Sequence, residues 1–342
     1  MAIARALVYD VKVLVMDEPT SCLSQGEVDQ LFKIVRDLKN DGITILFISH
    51  KIDEIFEIGD SITVLRDGQY KGTADKDGIT PEELIERMCG RKITYKNYER
   101  REKSDVILKV EGMSKKDNFK DISFVLNRGE ILGVTGLVGS GRTEMVQALF
   151  GLNKPDSGRI ELNGKETDIK SPEFAILNKI GYVPENRLTE GLIQNQSVKR
   201  NLLVAVLKEL KKGVFLSEKS KNETSEKWMK KLGIKPAYPD MLMGKLSGGN
   251  QQKAVIAKWL AMNPDILIVD EPTNGIDVGA KEEIHKLLRE LSDNGMAVLV
   301  VSSELPEVIS ICDRILIMKN GKIVSEMAGE VTQEQILGKA IM

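Results

Sequence analysis

The sequence predicts an α/β protein with a parallel core sheet flanked by helices, and three observations carry this prediction. Residues 266–277 (ILIVDEPTNGID) run from four apolar residues straight into two acids and a proline-containing turn. A glycine-rich loop at 136–143 (GLVGSGRT) stands between an apolar run and a helical pattern. Residues 13–20 (VLVMDEPT) repeat the first stretch. With 342 residues, the chain is long enough for about two domains.

The acids Asp270 and Glu271 come directly after the first apolar run. A short apolar run bounded by a turn is typical of a strand buried on both faces of a sheet. Open α/β sheets bind ligands at the carboxyl ends of such strands. An acid pair there suits phosphoryl chemistry, with Asp270 holding magnesium and Glu271 polarising an attacking water. The alternative interpretation is a capped strand-to-helix turn without a ligand.

The second copy of this stretch belongs to a longer internal repeat. Asp17 and Asp270 are 253 positions apart (270 − 17), and the same offset aligns residues 42–69 with residues 295–322 without a gap. This spacing is too long for a solenoid repeat and indicates duplication of a domain. The copy begins at position 1, in the middle of the repeated unit.

Composition and charge exclude several classes of protein. The net charge of −2 gives no overall attraction to nucleic acid or anionic lipid. Three cysteines and two histidines, scattered along the chain, predict neither a disulfide framework nor a zinc cluster. No apolar run approaches the roughly 20 residues that span a bilayer, and no signal-peptide pattern is visible at the N-terminus. Any association with a membrane is therefore expected to depend on a partner.

In the first part of the chain, Thr80 is predicted as the N-cap of a helix with Pro81 at its first position. The polar, highly charged residues 95–105 are predicted to form a linker. The other predictions before residue 95 are helices at 1–8, 27–38 and 52–58, buried strands at 11–16 and 43–49, and a hairpin at 61–68.

After the linker, half-buried strands are predicted at 106–110 and 121–126, and a buried strand at 131–135 runs into the glycine-rich loop. The order strand, glycine loop, helix is the context that a phosphate-binding loop requires. Its backbone N–H groups and the helix N-terminus favour phosphate oxygens, and Thr143 would offer a hydroxyl to magnesium. Arg142 stands where such loops have lysine, and its planar fork is not equivalent to an ammonium group. Fast hydrolysis at this loop is therefore not expected.

A strand at 180–186 (IGYVPEN) leads to Glu185, and residues 192–242 form a helix-rich, lysine-rich insert. The segment 246–253 (LSGGNQQK) places a serine and two glycines at a helix start, which is a second candidate anion site. It precedes the acid-bearing strand by about twenty residues, and that spacing strengthens the prediction.

With GLVGSGRT, LSGGNQQK and ILIVDEPTNGID in place, the chain resembles the ATP-binding-cassette (ABC) ATPases, and more narrowly the double-cassette subunits of bacterial simple-sugar importers. Second cassettes of that group resemble this one in Arg142, in Pro184-Glu185 at the usual glutamine position, and in Ser303 at the switch-histidine position. The resemblance implies a P-loop NTPase fold with a parallel core sheet, an antiparallel β subdomain and a helical insert.

The same resemblance implies ATP and Mg²⁺ as cofactors and assigns the site residues. The assigned residues are catalytic Glu18, His50 and Glu271; nucleotide-binding Gly136, Gly139, Ser140, Gly141, Arg142, Thr143, Glu185, Ser247, Gly248 and Gly249; and magnesium-binding Thr143, Asp17 and Asp270. Asp277 matches the D-loop aspartate of the family, and the first copy has Ser24 at that position.

We expect residues 1–94 to be the C-terminal half of a first cassette and 106–342 to be a complete second cassette, with a helical subdomain at about 186–250. The phosphate loop and signature of the first cassette would precede Met1. Each ATP site in the family combines both cassettes, so we expect neither composite site to be complete within one such chain. The apolar strands of the half-cassette would then lack neighbours, which favours association.

The resemblance implies transmembrane permease subunits as partners, and indirectly an extracytoplasmic sugar-binding protein, at the cytoplasmic face of the membrane. It also implies association between cassettes and no nucleic-acid partner. Two alternatives remain open: a non-catalytic ATP-binding fragment, and a paired-cassette translation factor. The translation factors typically carry EPTNHLD, whereas this chain has EPTNGID and EPTSCLS. The sequence does not identify the sugar.

Overall fold

The structure of the protein is a computed structural model, and it describes residues 11–20, 23, 25–49, 51–66, 68–90, 105–207, 210–212, 215–329 and 331–341. The predicted helix at 1–8, Ser24, His50 and nearly all of the predicted linker lie outside the described residues. The chain divides into two compact units, made largely of residues before and after position 95. No helix in the described part of the chain is long and apolar enough to cross a membrane.

In the first unit, two parallel strands, β1 (Val13–Asp17) and β2 (Thr44–Ile48), pair with each other. Helix α1 (Gln25–Asn40) covers one face of this sheet, and Val28, Phe32 and their neighbours pack on Leu14 and Met16. The β1 side chains that alternate with Leu14 and Met16 point away from the helix and are exposed, and Val15 has a relative exposure of 59%. The apolar strand pattern is therefore satisfied on one face only among the described residues.

The rest of the first unit packs around a hairpin and forms a separate small core. The strands are β3 (Ser61–Arg66) and β4 (Gln69–Asp75), and the helices are α2 (Ile52–Ile58) and α3 (Pro81–Cys89). Thr80 caps α3 as predicted, because its side chain accepts from Glu83 N while the Glu83 carboxylate accepts from Thr80 N. Pro81 takes the first helical position, where its missing N–H costs nothing.

The second unit contains a six-stranded sheet with an antiparallel sheet beside it. The strands of the larger sheet are β7 (Ile131–Gly136), β10 (Ile180–Val183), β13 (Ile266–Asp270), β14 (Ala297–Val301), β15 (Arg314–Lys319) and β16 (Lys322–Ala328). Their order, in the described residues, is β10–β13–β14–β7–β15–β16, and only the β15–β16 pair is antiparallel. The antiparallel sheet has the order β6–β5–β8–β9 and consists of β5 (Val106–Lys115), β6 (Phe119–Asn127), β8 (Ser157–Leu162) and β9 (Lys165–Glu166).

The helices of the second unit accompany the large sheet and build the insert. They are α4 (Arg142–Leu149), α5 (Pro172–Leu177), α6 (Val198–Leu203), α7 (Glu218–Lys231), α8 (Gly248–Leu260), α9 (Val278–Asp293), α10 (Leu305–Ile311) and α11 (Gln333–Ile341). The insert also contains a short hairpin, β11 (Lys211–Lys212) with β12 (Phe215–Leu216), which the sequence did not predict. One continuous apolar core runs through the unit and buries β13 and β14 on both faces.

The internal repeat is visible in the element boundaries. Helices α1 and α2 of the first unit correspond to α9 and α10 of the second, and both ends of each helix are shifted by 253 positions, from 25–40 to 278–293 and from 52–58 to 305–311. The hairpins β3–β4 and β15–β16 share an irregularity at the same repeat position, between Val64 and Leu65 and between Ile317 and Met318. The structure therefore agrees with the duplication predicted from the sequence.

Candidate nucleotide-binding site

The loop between β7 and α4 has a backbone that only glycine can adopt at two points. Gly136 has φ +155°, and a Cβ there would lie 2.1 Å from the carbonyl oxygen of Met318. Gly141 has φ +90°, and a Cβ there would lie 2.6 Å from the carbonyl oxygen of Asn118. Gly139 also has a positive φ, +78°, but faces open space. The loop thus contacts the protein backbone closely at Gly136 and Gly141 and is open at Gly139, as a phosphate-binding loop requires.

Three buried polar atoms around this loop have no hydrogen-bond partner among the described residues. They are Ser140 Oγ in the loop, Thr135 Oγ1 in β7 and Asp270 Oδ1 at the end of β13. Most buried polar atoms in folded proteins are hydrogen-bonded, and orphans tend to mark places where a ligand, ion or water completes the network. Their position around one glycine loop supports an anionic ligand and a cation at this edge of the sheet.

Asp270 is fully buried at the carboxyl end of β13. The Tyr182 hydroxyl donates to its Oδ2 at 3.4 Å. Burial raises the pKa of Asp270 to about 7, and the nearby Thr143 side chain opposes this rise. A carboxylate next to a hydroxyl, with one carboxylate oxygen unpaired, is a set of oxygen donors that fits Mg²⁺.

Glu271 is held in an unusual backbone conformation with φ +47°. Its N–H donates to Val301 O at 2.8 Å, and its Oε1 accepts from Ser303 N at 2.8 Å. These bonds fix the carboxylate beside the end of β14. Burial raises the pKa of Glu271, and the Arg142 guanidinium opposes this rise.

Arg142 is buried and directed at the acid rather than at the open part of the loop. Its Nη1 donates to Ser302 O at 2.9 Å, and its Nη2 lies 4.0 Å from Glu271 Oε1. The Arg142 guanidinium, which is the cationic group of this loop, is thus already bound to the Ser302 carbonyl and lies close to the predicted catalytic carboxylate of Glu271.

Of the remaining predicted residues, Glu185 is exposed after β10, and its charge contributes to the raised pKa of Asp270. Ser247 is exposed at the start of α8, where its Oγ accepts from Asn250 Nδ2 at 2.9 Å. The atoms nearest to a Cβ placed on Gly248 belong to Arg187 and Gly275, while Gly249 is buried. The structure therefore brings Arg142, Thr143, Asp270 and Glu271 together at the glycine loop. The segment 247–249 instead lies, at Gly248, against Arg187 and Gly275.

In the first unit, Asp17 is the last residue of β1, Glu18 follows it, and both are exposed. Glu18 has φ +43°, and its N–H donates to Ile48 O at 2.9 Å. His50 lies outside the described residues, so its predicted role stays a prediction.

Sequence reasoning missed two residues at the site, Tyr182 and Arg187. Tyr182 contacts Asp270, and Arg187 donates to the carbonyls of Asn274 and Gly275. The run IGYVPEN indicated a strand leading to Glu185, but nothing in it indicated contacts with residues 88 positions away.

The fold and this glycine-loop site define an ATP-binding-cassette ATPase, and comparison with known proteins agrees. The model of the ABC transporter family matches residues 119–274. A putative ribose/galactose/methyl galactoside import ATP-binding protein of Geobacillus kaustophilus is 44% identical over 337 residues, covering 98% of this chain and 67% of that protein. The ribose import ATP-binding protein RbsA of Clostridium tetani is 44% identical over 342 residues, covering 99% of this chain and 68% of that protein.

Solved structures give the same result. A nucleotide-free ATP-binding cassette from an ABC transporter matches with a TM-score of 0.59 and 25% identity, over 68% of this chain and 94% of that one. The dimeric post-hydrolysis cassette MJ0796, bound to ADP and Pi, matches with a TM-score of 0.58 and 25% identity, over 65% of this chain and 98% of that one. The chain belongs to the ATP-binding proteins of the ABC transporter family. The predicted family, its cassette fold and its class as a transport ATPase are confirmed, and the chain spans about two thirds of the length of these relatives.

Proposed function

We propose that the chain is an ATP-binding subunit that energises import of a simple sugar, and that its second unit binds ATP with Mg²⁺ at residues 136–143. The observation that carries this proposal is the convergence of the glycine loop, Thr143, the buried Asp270 and the partly buried Glu271 at one edge of the sheet. We infer a simple sugar as the substrate from the relatives, which are named for ribose or galactose import.

In this proposal the backbone N–H groups of Gly139 and Gly141 and the unpartnered hydroxyl of Ser140 bind the phosphates, together with the N-terminus of α4. Thr143 and Asp270 would hold Mg²⁺, which neutralises phosphate charge when it is bound. Glu271 orients water, because its carboxylate is fixed by Ser303 N and its raised pKa suits a proton acceptor.

Arg142 limits hydrolysis at this site. Its guanidinium is bound to Ser302 O and lies near Glu271, so binding a phosphate oxygen requires giving up these contacts. This observation favours a second candidate function, in which the second unit binds ATP without hydrolysing it. The first unit, as the C-terminal half of a first cassette at 1–94, joined by the linker 95–105 to the second cassette at 106–342, would then contribute Asp17, Glu18 and His50 to a catalytic site that also needs a phosphate loop.

We propose that the subunit acts at the cytoplasmic face of the membrane, docked to transmembrane permease subunits through Glu185 and the helical subdomain at about 186–250. The permease would receive its sugar from an extracytoplasmic binding protein, and no nucleic acid is involved. Ser247 is exposed, Gly248 is partly buried and Gly249 is buried at the start of α8. These three residues would cap the γ-phosphate held by another cassette.

The test is ATP binding and hydrolysis by the purified chain. We expect MgATP to stabilise the protein and to protect amides of 136–143 from hydrogen exchange. We expect Gly136→Val to abolish both effects, because a side chain there meets the Met318 carbonyl. Exposed Glu173→Gln is the matched control and should change neither. A chain that shows no MgATP-dependent stabilisation or protection contradicts the proposed site.

Hydrolysis then separates the two candidate functions. If the second unit hydrolyses ATP, Glu271→Gln should lower kcat at least about 100-fold. If hydrolysis by the chain is abolished by Glu18→Gln and kept in Glu271→Gln, the second unit is the non-hydrolysing one. Arg142→Lys should raise hydrolysis in that case, because an ammonium group cannot make the same forked contacts.

A further inference from the structure

The segment that follows Glu185 forms a short π-helical turn, Arg187–Gly191, whose two ends are both tied to other elements. Asn186 caps the turn, since its Oδ1 accepts from the N–H groups of Leu188 and Thr189 at 3.1 and 3.2 Å. At the far end, Gly191 O accepts from the buried Lys258 Nζ of α8 at 2.8 Å.

At the near end, the Arg187 guanidinium bonds to a turn distant in sequence. Its Nη1 donates to Asn274 O at 2.6 Å, and its Nη2 donates to Gly275 O at 2.9 Å. Its Nε is buried and has no partner among the described residues. Burial lowers the pKa of Arg187. Removing a guanidinium from water while one N–H stays unpaired costs free energy, so fold stability alone does not account for this residue.

The turn that Arg187 binds is connected to both of the predicted reaction segments. Asn274 N donates to Glu271 O at 3.2 Å, so the bonded turn begins at the predicted catalytic acid. On the other side, a Cβ at Gly248 would lie 2.9 Å from Arg187 Nη2 and 3.1 Å from Gly275 O. Arg187 therefore lies where the segment of Glu185, the turn after Glu271 and the glycines of 247–249 meet.

We propose that Arg187 is a positioning residue, which fixes the turn of Asn274 and Gly275 and the adjacent Gly248 relative to the Glu185 segment. This inference rests on the proposed function, because the proposed function assigns the Glu271 turn, the Glu185 segment and residues 247–249 their roles at the phosphates. Arg187 itself contacts neither the glycine loop nor Asp270 in the bonds described above, so its loss should leave the affinity for ATP nearly unchanged. The forked guanidinium is specifically suited to this role, since it reaches two carbonyls at once.

The experiment is hydrogen exchange measured by mass spectrometry on the full chain, with and without MgATP, for Arg187→Ala and Arg187→Lys. Arg200→Ala is the matched control, because Arg200 is exposed in the same subdomain and, among the described residues, its guanidinium bonds only to Gln196, four positions away. In Arg187→Ala, amides at 273–277 and 246–250 should exchange about tenfold faster without nucleotide, as loss of hydrogen bonds worth about 1.4 kcal/mol predicts. Arg187→Lys should be intermediate, because lysine can reach one carbonyl but not both, and Arg200→Ala should match the wild type.

The contrast between segments separates positioning from general stabilisation. Unchanged exchange at 273–277 and 246–250 in Arg187→Ala would overturn the proposal. Faster exchange throughout the second unit would also overturn it, because it would indicate a structural role. The dissociation constant of MgATP for Arg187→Ala should stay within about twofold of wild type, and a tenfold loss would place Arg187 in the binding site instead. If the wild type shows no MgATP-dependent protection at 136–143, the proposed function fails, while the nucleotide-free exchange rates still decide the role of Arg187.

Discussion

β1 and β13 each end at an aspartate that a glutamate follows, and each strand pairs in parallel with the next core strand of its unit. Val13 lies opposite Thr44 and Ile266 lies opposite Ala297, which is the same register at the two repeat positions. The glutamates have matching backbones, with φ +43° at Glu18 and +47° at Glu271, and each donates its N–H to the end of the neighbouring strand. The placement of the acids is thus a local property of the strand pair and its turn.

The surroundings of the two strand pairs differ completely. In the second unit, β13 lies between β10 and β14, and β14 lies between β13 and β7. Val15 and Leu46 of the first unit are 59% and 55% exposed, while their repeat counterparts Ile268 and Leu299 are 0% exposed. The comparison shows that the register of two strands orients an acid pair, and that neighbouring strands and layers are needed to bury it.

The substitutions Ile268→Ala and Val15→Ala test this difference in burial, and Ile268→Ala should change the free energy of unfolding more than any other substitution proposed below. Ile268→Ala should lower the free energy of unfolding of the second unit by about 4 kcal/mol, because it leaves a cavity in a core covered on both faces. Val15→Ala should change the stability of the first unit by less than about 0.5 kcal/mol, because its side chain is exposed. Both tryptophans, Trp228 and Trp259, lie in the second unit, so their fluorescence during denaturant unfolding reports that unit.

Hydrogen exchange of the β1 and β2 amides reports the first unit in the same samples. A cost for Val15→Ala as large as that for Ile268→Ala would mean that the outer face of β1 and β2 is covered in solution, and the contrast in burial would be wrong.

The local features of the site could be predicted from sequence because each depends on neighbouring residues. The apolar run before Asp270, the glycine loop and the 253-residue offset predicted the strands, the turn and the repeat. The contacts of Arg142 and Arg187 could not be predicted. Their partners are backbone carbonyls 160 and 87 to 88 positions away, and any residue type offers a carbonyl. Likewise, the exposure of Val15 depends on which strands lie beside it, whereas its apolar pattern matches that of buried Ile268.

A smaller effect is expected from Asp270→Asn in buffer with EDTA, compared with Asp17→Asn. Because burial raises the pKa of Asp270 from 3.8 to about 7, the folded protein binds the proton more tightly than the unfolded chain. The wild type therefore loses stability as pH rises from about 4 to about 7, and the full penalty is present above that range. Asp270→Asn removes the buried charge and should stabilise the second unit by about 2 kcal/mol at pH 8 and by little at pH 4.

Asp17→Asn is the control for this prediction, since Asp17 is exposed and its replacement should shift the melting temperature little at either pH. Thermal unfolding of both variants at pH 4, 6 and 8 measures the effect. A gain for Asp270→Asn that is the same at pH 4 and pH 8 would show that the buried charge is not its cause.

The smallest expected effect concerns the buried glutamates Glu54 and Glu307, which occupy matching repeat positions with different partners. Glu54 Oε2 accepts from Thr20 Oγ1 at 2.9 Å and from Ser49 Oγ at 3.0 Å, and Glu54 Oε1 lies 3.0 Å from Lys51 Nζ.

Glu307 Oε1 lies 2.7 Å from His285 Nε2, while Glu307 Oε2 is buried and has no partner among the described residues. Glu54→Gln should cost the first unit about 1–2 kcal/mol, because an amide loses the ion pair and one acceptor oxygen. Glu307→Gln should cost the second unit less than about 0.5 kcal/mol, because the amide oxygen can keep the bond to His285 while a buried charge is removed. Hydrogen exchange at β2 and at β14 measures the loss of stability in each unit. Equal losses would mean that the two glutamates stabilise their units equally despite their different partners.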